Sequence, residues 1–585
     1  MSVYNRKKQR NSFIFTIFLC LVVLGAGGYI IISSFLNRNA LFKDQNFANA
    51  IASVLEVKPR EINQEMLDEY ESLYYFCDIG FNQEEGKSYA TPVVVLGKKD
   101  FTDFQIEQGE KENTEVDNDE TDNEESEDET PKDFITVPFV IEKVEDLALF
   151  RNLRILSAFD ASSINEMQMQ SYYTSMYSQI YEGVQPVNFT DVIQAMALRE
   201  LKNLSQISSL SKLEILALEY TGLKSFDGID AFSHLKNIDI TATSVTSLND
   251  IEKAVKLESL MMGNMGISDL SPLSGLSSMK YLFLDGNEIE DLSPISSLTN
   301  IETLSISNNK IKNLSSLVNL SNLKNLLANK NEIDNIDDIK NCTKLETLYL
   351  SDNNFSSLDA LKSMTALKTL NITKTQDTSN TSDEDSGNDK DKTEYGPIKD
   401  ITGLAECTAL TELNLSYNLI EDISVLEGCT ELTTLNLSYN SVSDIQVLSN
   451  CTVLTNLNMK HNKIEDISAV SDLEKLTELN LDDNLISDIK PVSGLNKLTT
   501  LSLKNNKIDD LSGMETAFDK DIKLTIDLTG NTGIKDWTPL KEDNYENLTV
   551  KGMPEEEEDE NEDESSNDNE SEDETSEENI SEENS

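Results

Sequence analysis

Positive charge is scarce in this chain: 48 lysines and arginines stand against 106 acidic residues, a net charge of −58. Recognition of phosphate needs a basic footprint. None exists outside the extreme N-terminus, so nucleic acid and anionic membrane surfaces are not expected partners. Histidine is scarcer still. The two present, His234 and His461, have no nucleophile or carboxylate at a spacing that builds a triad or a metal site. No catalytic residue, metal site or cofactor is therefore expected. Carboxylate pairs carry no information by themselves in so acidic a chain. The acidic residues crowd into 107–129, 377–394 and 555–585, segments that read as solvated disorder. Weak binding of divalent cations by them is the alternative, without an EF-hand spacing to support it.

Six cysteines do not make a disulfide framework. Cys20 lies in an apolar N-terminal run, and Cys342, Cys407, Cys429 and Cys451 share one position of a repeat where neighbours hold leucine or methionine. A free cysteine there acts as a small hydrophobe. One bridge among Cys407, Cys429 and Cys451 is the alternative, and Cys77 has no assigned role.

What the chain has in abundance is leucine at a fixed period. From Leu410 to Ile508, LTELNLSYNLIEDISVLEGC is followed by LTTLNLSYNSVSDIQVLSNC and further copies, each 22 residues long. Such a period is the signature of a leucine-rich repeat solenoid, an α/β fold with a parallel sheet on the concave face and short helical turns on the convex face. In LxL two leucines flank a polar residue, as in a short strand that buries one face. Asn287, Asn309, Asn331, Asn353, Asn418, Asn440, Asn462, Asn484 and Asn506 end the strands. Their amides can satisfy backbone groups of adjacent coils that water cannot reach, so a buried ladder is expected. Thr221, Thr243 and Met265 hold that position in earlier coils, where the ladder should weaken. Ser271 and Ser293 read as caps of the convex turns, with Pro272 and Pro294 as first residues. The Asp422, Asp444, Asp466, Asp488 and Asp510 column reads as loop-capping, with weak cation binding as the alternative.

A single coil cannot bury its apolar edge, so both ends need caps. Arg6, Lys7, Lys8 and Arg10 precede an apolar run over 13–36, long enough to span a bilayer as a signal anchor. A cleaved signal peptide is the rival. The segmentation is then 1–12 cytoplasmic, 13–36 transmembrane and 42–80 helical cap with a first strand over Leu73–Phe76. An insertion with an acidic run covers 81–143, and repeats cover 144–375 with a tyrosine-rich insertion near 162–192. An acidic insertion at 376–397 precedes repeats and a C-terminal cap at 398–552, and 553–585 is an acidic tail. Leu524, Ile526 and Leu528 mark the last strand, and Trp537 covers the end of the core. The insertions all enter just after a strand, on one edge, where binding is often found.

The repeat ISDLSPLSGLSSMKYLFLDGNEIEDLSPISSLTNIETLSISNN resembles those of bacterial internalin-like cell-surface proteins, and the helical segment before the first strand resembles their cap. The resemblance covers 42–540 and implies a protein-binding surface protein; it does not specify a ligand. An acidic tail replaces the wall-sorting motif of typical internalins, which leaves attachment to the N-terminal helix. The outward strand positions hold Met261, Tyr281, Phe283, Leu327 and Tyr349, and a second column holds Tyr417, Tyr439 and His461. Large apolar groups on an exposed face mark a contact site; the bland reading is that some turn inward or are covered. Asn371, Asn414, Asn436, Asn458 and Asn480 form a second, outward amide column that reads as structural. The expected function is a membrane-anchored extracellular module binding a protein or peptide. The alternative is a negatively charged envelope spacer.

Overall fold

The structure, a computed structural model, describes residues 41–82, 87–98, 134–138, 144–157, 200–374, 396–518, 523–541, 545 and 547–554. The expected span at 13–36, the acidic runs and the tyrosine-rich segment lie outside them. No described helix is long and apolar enough to cross a membrane.

Among the described residues a single 19-stranded sheet runs from Ser72 to Lys551. It begins with an antiparallel flap. Strand β1 (Ser72–Asn82) pairs with β2 (Lys87–Gly97) from Ser72 opposite Gly97 to Asn82 opposite Lys87, and β2 pairs with β3 (Phe134–Pro138). The first strand is thus longer than its apolar core, because it continues as one arm of a hairpin. The other edge of β1 starts a parallel ladder at β4 (Ile155–Ser157), with Ser72 beside Ile155. Three-residue strands then follow at the repeat period, as in Asn325 beside Thr347 and Thr347 beside Thr369. Register survives the step from Thr369 to Glu412, so the intervening segment leaves the ladder unbroken.

From Ile215 to Ser502 each strand buries its central apolar residue and the apolar residue two positions on, most often leucine. Leu282 and Leu284, or Leu435 and Leu437, face the core while the flanking positions face out. The convex turns are three- to six-residue 3-10 turns rather than α-helix, since a period this short leaves room for little more than one tight turn. Ser271 and Ser293 are the first residues of their turns and Pro272 and Pro294 the second, which corrects the capping assignment. The caps are aspartates. Asp269 Oδ1 accepts the Ser271 N–H at 2.8 Å and Asp291 Oδ1 the Ser293 N–H at 2.8 Å. Asp422, Asp444, Asp466, Asp488 and Asp510 make the same bond two residues on. These bonds hold the Asp422 and Asp510 carboxyls below their ordinary range.

The N-terminal cap is one helix, α1 (Gln45–Val54), and a single turn, α2 (Gln64–Leu67). Phe47 and Ile51 of α1 are buried against the first coils. Asp146, buried in the first convex turn, clamps the cap by accepting the N–H groups of Lys43 and Asp44 at 2.8 and 2.6 Å. At the far end Trp537 is buried, yet the array does not stop at Leu528. A further strand, Leu548–Lys551, pairs with Leu524–Asp527. Tyr545 staples it: its hydroxyl accepts the Ala517 N–H at 2.8 Å and donates to the Met514 carbonyl.

Cys342, Cys407, Cys429 and Cys451 are free and buried. Each thiol faces a carbonyl of the preceding coil, Cys429 to Cys407 at 3.7 Å and Cys451 to Cys429 at 3.6 Å. Burial pushes Cys407 up to about 12 and the other three to about 11. Because the thiolate is the nucleophile, alkylation at pH 8 with peptide mapping should leave these four unmodified in native protein and label them in urea. Labelling of native protein at the unfolded rate would refute their burial.

Candidate functional site

The buried amide ladder divides core from concave face. Asn440 is 6% exposed, donates through Nδ2 to the carbonyls of Leu415 and Leu437 at 3.0 Å each, and accepts the Ile420 N–H at 3.0 Å. Asn287, Asn331, Asn353, Asn418, Asn462 and Asn484 are buried and donate through Nδ2 to the corresponding carbonyl of the preceding coil. Asn309 and Asn506 repeat it part-buried, and Asn531 extends it. In the earlier coils the Thr221 hydroxyl reaches only the Leu218 carbonyl, and the buried Thr243 hydroxyl has no partner among the described residues. At this position neither hydroxyl bridges to a neighbouring coil among the described residues.

The residue before each ladder asparagine closes the strand in the left-handed region. Asn308, Asp352, Asp483 and Asn505 suit that conformation; Tyr417 (φ 58°), Tyr439 (57°) and His461 (56°) do not. Left-handed backbone costs a side chain with a Cβ about 1–2 kcal/mol. Stacking offsets it. The Tyr417 and Tyr439 rings lie 4.2 Å apart at 9°, Tyr439 and His461 4.8 Å apart at 22°, and Lys460 Nζ is 5.8 Å from the Tyr439 centroid. This aromatic stack runs along the ascending edge beside the concave strands.

On those strands Met261, Phe283, Leu327 and Tyr349 occupy one column, Met261 paired with Phe283 and Leu327 with Tyr349, with Ser305 between. All four are half-buried, and Tyr281, in the adjacent column, is 40% exposed. Asp285 borders this apolar strip. Burial raises its carboxyl pKa, against the lowering effect of bonds from the Ser305 hydroxyl and the Ser307 N–H. Farther along, the same column becomes Asn371, Asn414, Asn436, Asn458 and Asn480.

The edge where strands begin carries a feature missed in the sequence. Glu71, Arg154, Glu214, Lys236, Glu258, Lys280, Glu302, Lys324, Glu346 and Lys368 alternate in charge along consecutive coils. Arg154 bridges Glu71 and Glu214, and Lys280, Lys324 and Lys368 pair with Glu258, Glu302 and Glu346 at 2.6–2.7 Å. After the step at 375–395 the column turns into Thr411, Thr433, Thr455, Thr477 and Thr499, each hydroxyl donating to the carbonyl one coil back. Reading the residue two positions before the central inward apolar residue of each strand would have found both runs. The Lys324 and Lys368 partners hold Glu302 and Glu346 below the usual carboxylate range. A depressed carboxylate stabilises the fold above its unfolded pKa and loses that contribution as pH falls through the folded value. Lys324→Met should therefore lower the urea midpoint relative to wild type at pH 7 and low salt. The difference should vanish below about pH 4 and in 1 M salt, where the Debye length is about 3 Å; a difference insensitive to both would refute an electrostatic ladder.

Among the described residues both histidines have ordinary neighbours. His234 Nδ1 lies 3.2 Å from the hydroxyl of its neighbour Ser233, and His461 is in the stack. Among the described residues no group of three or more His, Cys, Asp or Glu side chains could hold a metal ion.

A family model described as Leucine Rich repeats (2 copies) matches residues 343–383, 430–473 and 474–516. No curated protein matches the chain. Among solved structures, internalin C2 of Listeria monocytogenes is 33% identical over 35% of this chain and 80% of its own, with a TM-score of 0.30. The chain is an internalin-like leucine-rich repeat protein. The InlF internalin of the same organism is 27% identical to this internalin-like chain, over 56% of it and 87% of InlF, with a TM-score of 0.47. The family rests on sequence identity and the repeat itself, not on superposition. The expected exclusion of nucleic acid finds no support in these comparisons.

Proposed function

We propose that this internalin-like chain is a membrane-tethered extracellular binding protein that holds a protein or peptide partner on its concave face. The observation that carries the reading is the apolar strip of Met261, Tyr281, Phe283, Leu327 and Tyr349. It lies on solvent-facing strand positions whose counterparts on the later strands, from Thr369 to Ser502, are Thr, Asn, Glu and Ser. Aromatic groups left part-exposed at the centre of a rigid surface are what interface cores are made of. The aromatic stack of Tyr417, Tyr439 and His461 adds a second contact region on the ascending edge, where backbone strain is retained for side chains that no core requires. The segment between Lys374 and Gly396 enters at that same edge, the Gly396 N–H donating to the Tyr417 carbonyl at 2.7 Å. Tethering rests on the sequence alone, on the basic residues before 13–36 and the length of that apolar run.

The test is capture from envelope extract. Phe283→Ala and Tyr349→Ala should each weaken capture of a specific partner by about 2 kcal/mol or more, with little change in melting temperature. Capture indifferent to both variants would overturn the concave-face reading and favour an envelope spacer. Protease added to intact cells should digest the repeats, and full protection until lysis would overturn the external location.

A further inference from the structure

The outward amide column in the C-terminal half is chemically one-sided. Asn414, Asn436, Asn458 and Asn480 sit at paired positions on four adjacent strands. In each, Oδ1 accepts the N–H two residues on, from Ser416, Ser438, Lys460 and Asp482, at 3.1 Å every time. A backbone N–H can be received only by the oxygen, so every amide is held with Nδ2 as its free end. None of the four Nδ2 groups donates to any described residue, and all four side chains are half-buried on the concave face. Asn371, one coil earlier, breaks the pattern by accepting the Ser351 hydroxyl. The row is thus four donors pre-oriented by the backbone, with no acceptor of its own.

The row has acidic ends. Glu412 and Glu478 stand two residues before Asn414 and Asn480 and so share their face. Glu478 accepts from Asn456 Nδ2 at 2.8 Å, and Glu412 has no partner among the described residues. Tyr417, Tyr439 and His461 line the row three residues on.

We propose that this row binds a proline-rich peptide in the polyproline II conformation with a lysine or arginine toward each end. A donor-only surface calls for an acceptor-only ligand, and a proline main chain has carbonyls but no N–H. The periods agree. Polyproline II rises about 3.1 Å per residue with three residues per turn, so a carbonyl returns to the same side about every 9.3 Å. Parallel strands lie about 4.7–4.9 Å apart, which puts every second asparagine about 9.4–9.8 Å from its like. A β-strand ligand repeats same-side carbonyls at about 6.6–6.8 Å and falls out of step. Polyproline II carbonyls have no internal hydrogen bonds, and aromatic-lined grooves are their usual seat. The three coil steps from Glu412 to Glu478, about 14 Å, place two basic side chains about five residues apart.

The inference concerns a surface distinct from the apolar strip, and its test separates the two. Fluorescence anisotropy with the full chain in detergent would use a labelled peptide of four prolines between two lysines, extended by proline at both ends. The double variant N436D/N458D removes one donor from each of the two alternate pairings while a carboxylate oxygen still caps the N–H two residues on. Binding by wild type, at least about tenfold weaker in N436D/N458D and unchanged in Phe283→Ala, is the expected result. No binding to wild type, equal binding by N436D/N458D, or equal binding of a Gly-Ser peptide with the same two lysines would each overturn the proposal. Loss in Phe283→Ala with retention in N436D/N458D would put the peptide on the apolar strip and overturn it as well.

Discussion

Leu284→Ala is expected to destabilise the solenoid by about 2–5 kcal/mol, whereas Phe283→Ala, one position earlier, should cost far less. Leu284 is 0% exposed and packs between the coils of Met262 and Ile306. Truncating it removes the transfer energy of the side chain and leaves a cavity that coils pinned by hydrogen bonds on both sides cannot close. The Met262 N–H bonds the Phe283 carbonyl at 3.0 Å and the Leu284 N–H bonds the Ser305 carbonyl at 2.7 Å, so the backbone has little freedom to collapse. Phe283 is half-buried, on the opposite face of the same strand. Urea unfolding of the two variants side by side decides the matter: equal losses would mean that Phe283 is a core residue, and the apolar strip would lose its standing as a contact surface.

Asn440→Ala should cost about 1–3 kcal/mol and Asn436→Ala about 0.5 kcal/mol or less. Both are asparagines in the same coil, so composition and helix or strand preference cannot separate them. The Asn440 amide serves the Leu415 and Leu437 carbonyls and the Ile420 N–H. Its removal strands the Ile420 N–H in a dry interior, at a cost of about 1–3 kcal/mol, while the Leu415 carbonyl keeps Asn418 Nδ2 at 3.1 Å and the Leu437 carbonyl keeps Asn462 Nδ2 at 2.9 Å. The Asn436 oxygen holds the Ser438 N–H at 3.1 Å and its hydroxyl at 2.8 Å, on a face that water reaches and can replace. Coils couple only to their neighbours, so the Asn440→Ala lesion should also appear locally, as hydrogen exchange accelerated in the coils of Leu415, Leu437 and Met459 before any other. Uniform acceleration along the array, or equal midpoints for the two variants, would contradict the ladder as a local clamp.

Much of this was legible because a period of 22 residues repeats one environment many times over. An inward leucine recurring so regularly determines strand, face and stacking direction together; the amide and cysteine columns and the outward place of Phe283 and Tyr349 follow from counting. The alternating Glu and Lys column from Glu214 to Lys368 was equally present in the sequence and was missed, because surface charge in so acidic a chain looks like background. Other features depended on geometry between segments. The aspartate column was legible as loop-capping, but that Ser271 stands inside its turn and not at the cap depended on where the backbone bends. The hairpin from Ser72 to Gly97 and the Tyr545 staple join residues far apart in sequence with no repeat to relate them. The sequence also determined that Asn414, Asn436, Asn458 and Asn480 point outward, but not which end of each amide is free. That was decided by the backbone N–H two residues on, which takes the oxygen and leaves the nitrogen to a partner; Tyr417, Tyr439 and His461 became a stack only because neighbouring coils hold their left-handed residues in register.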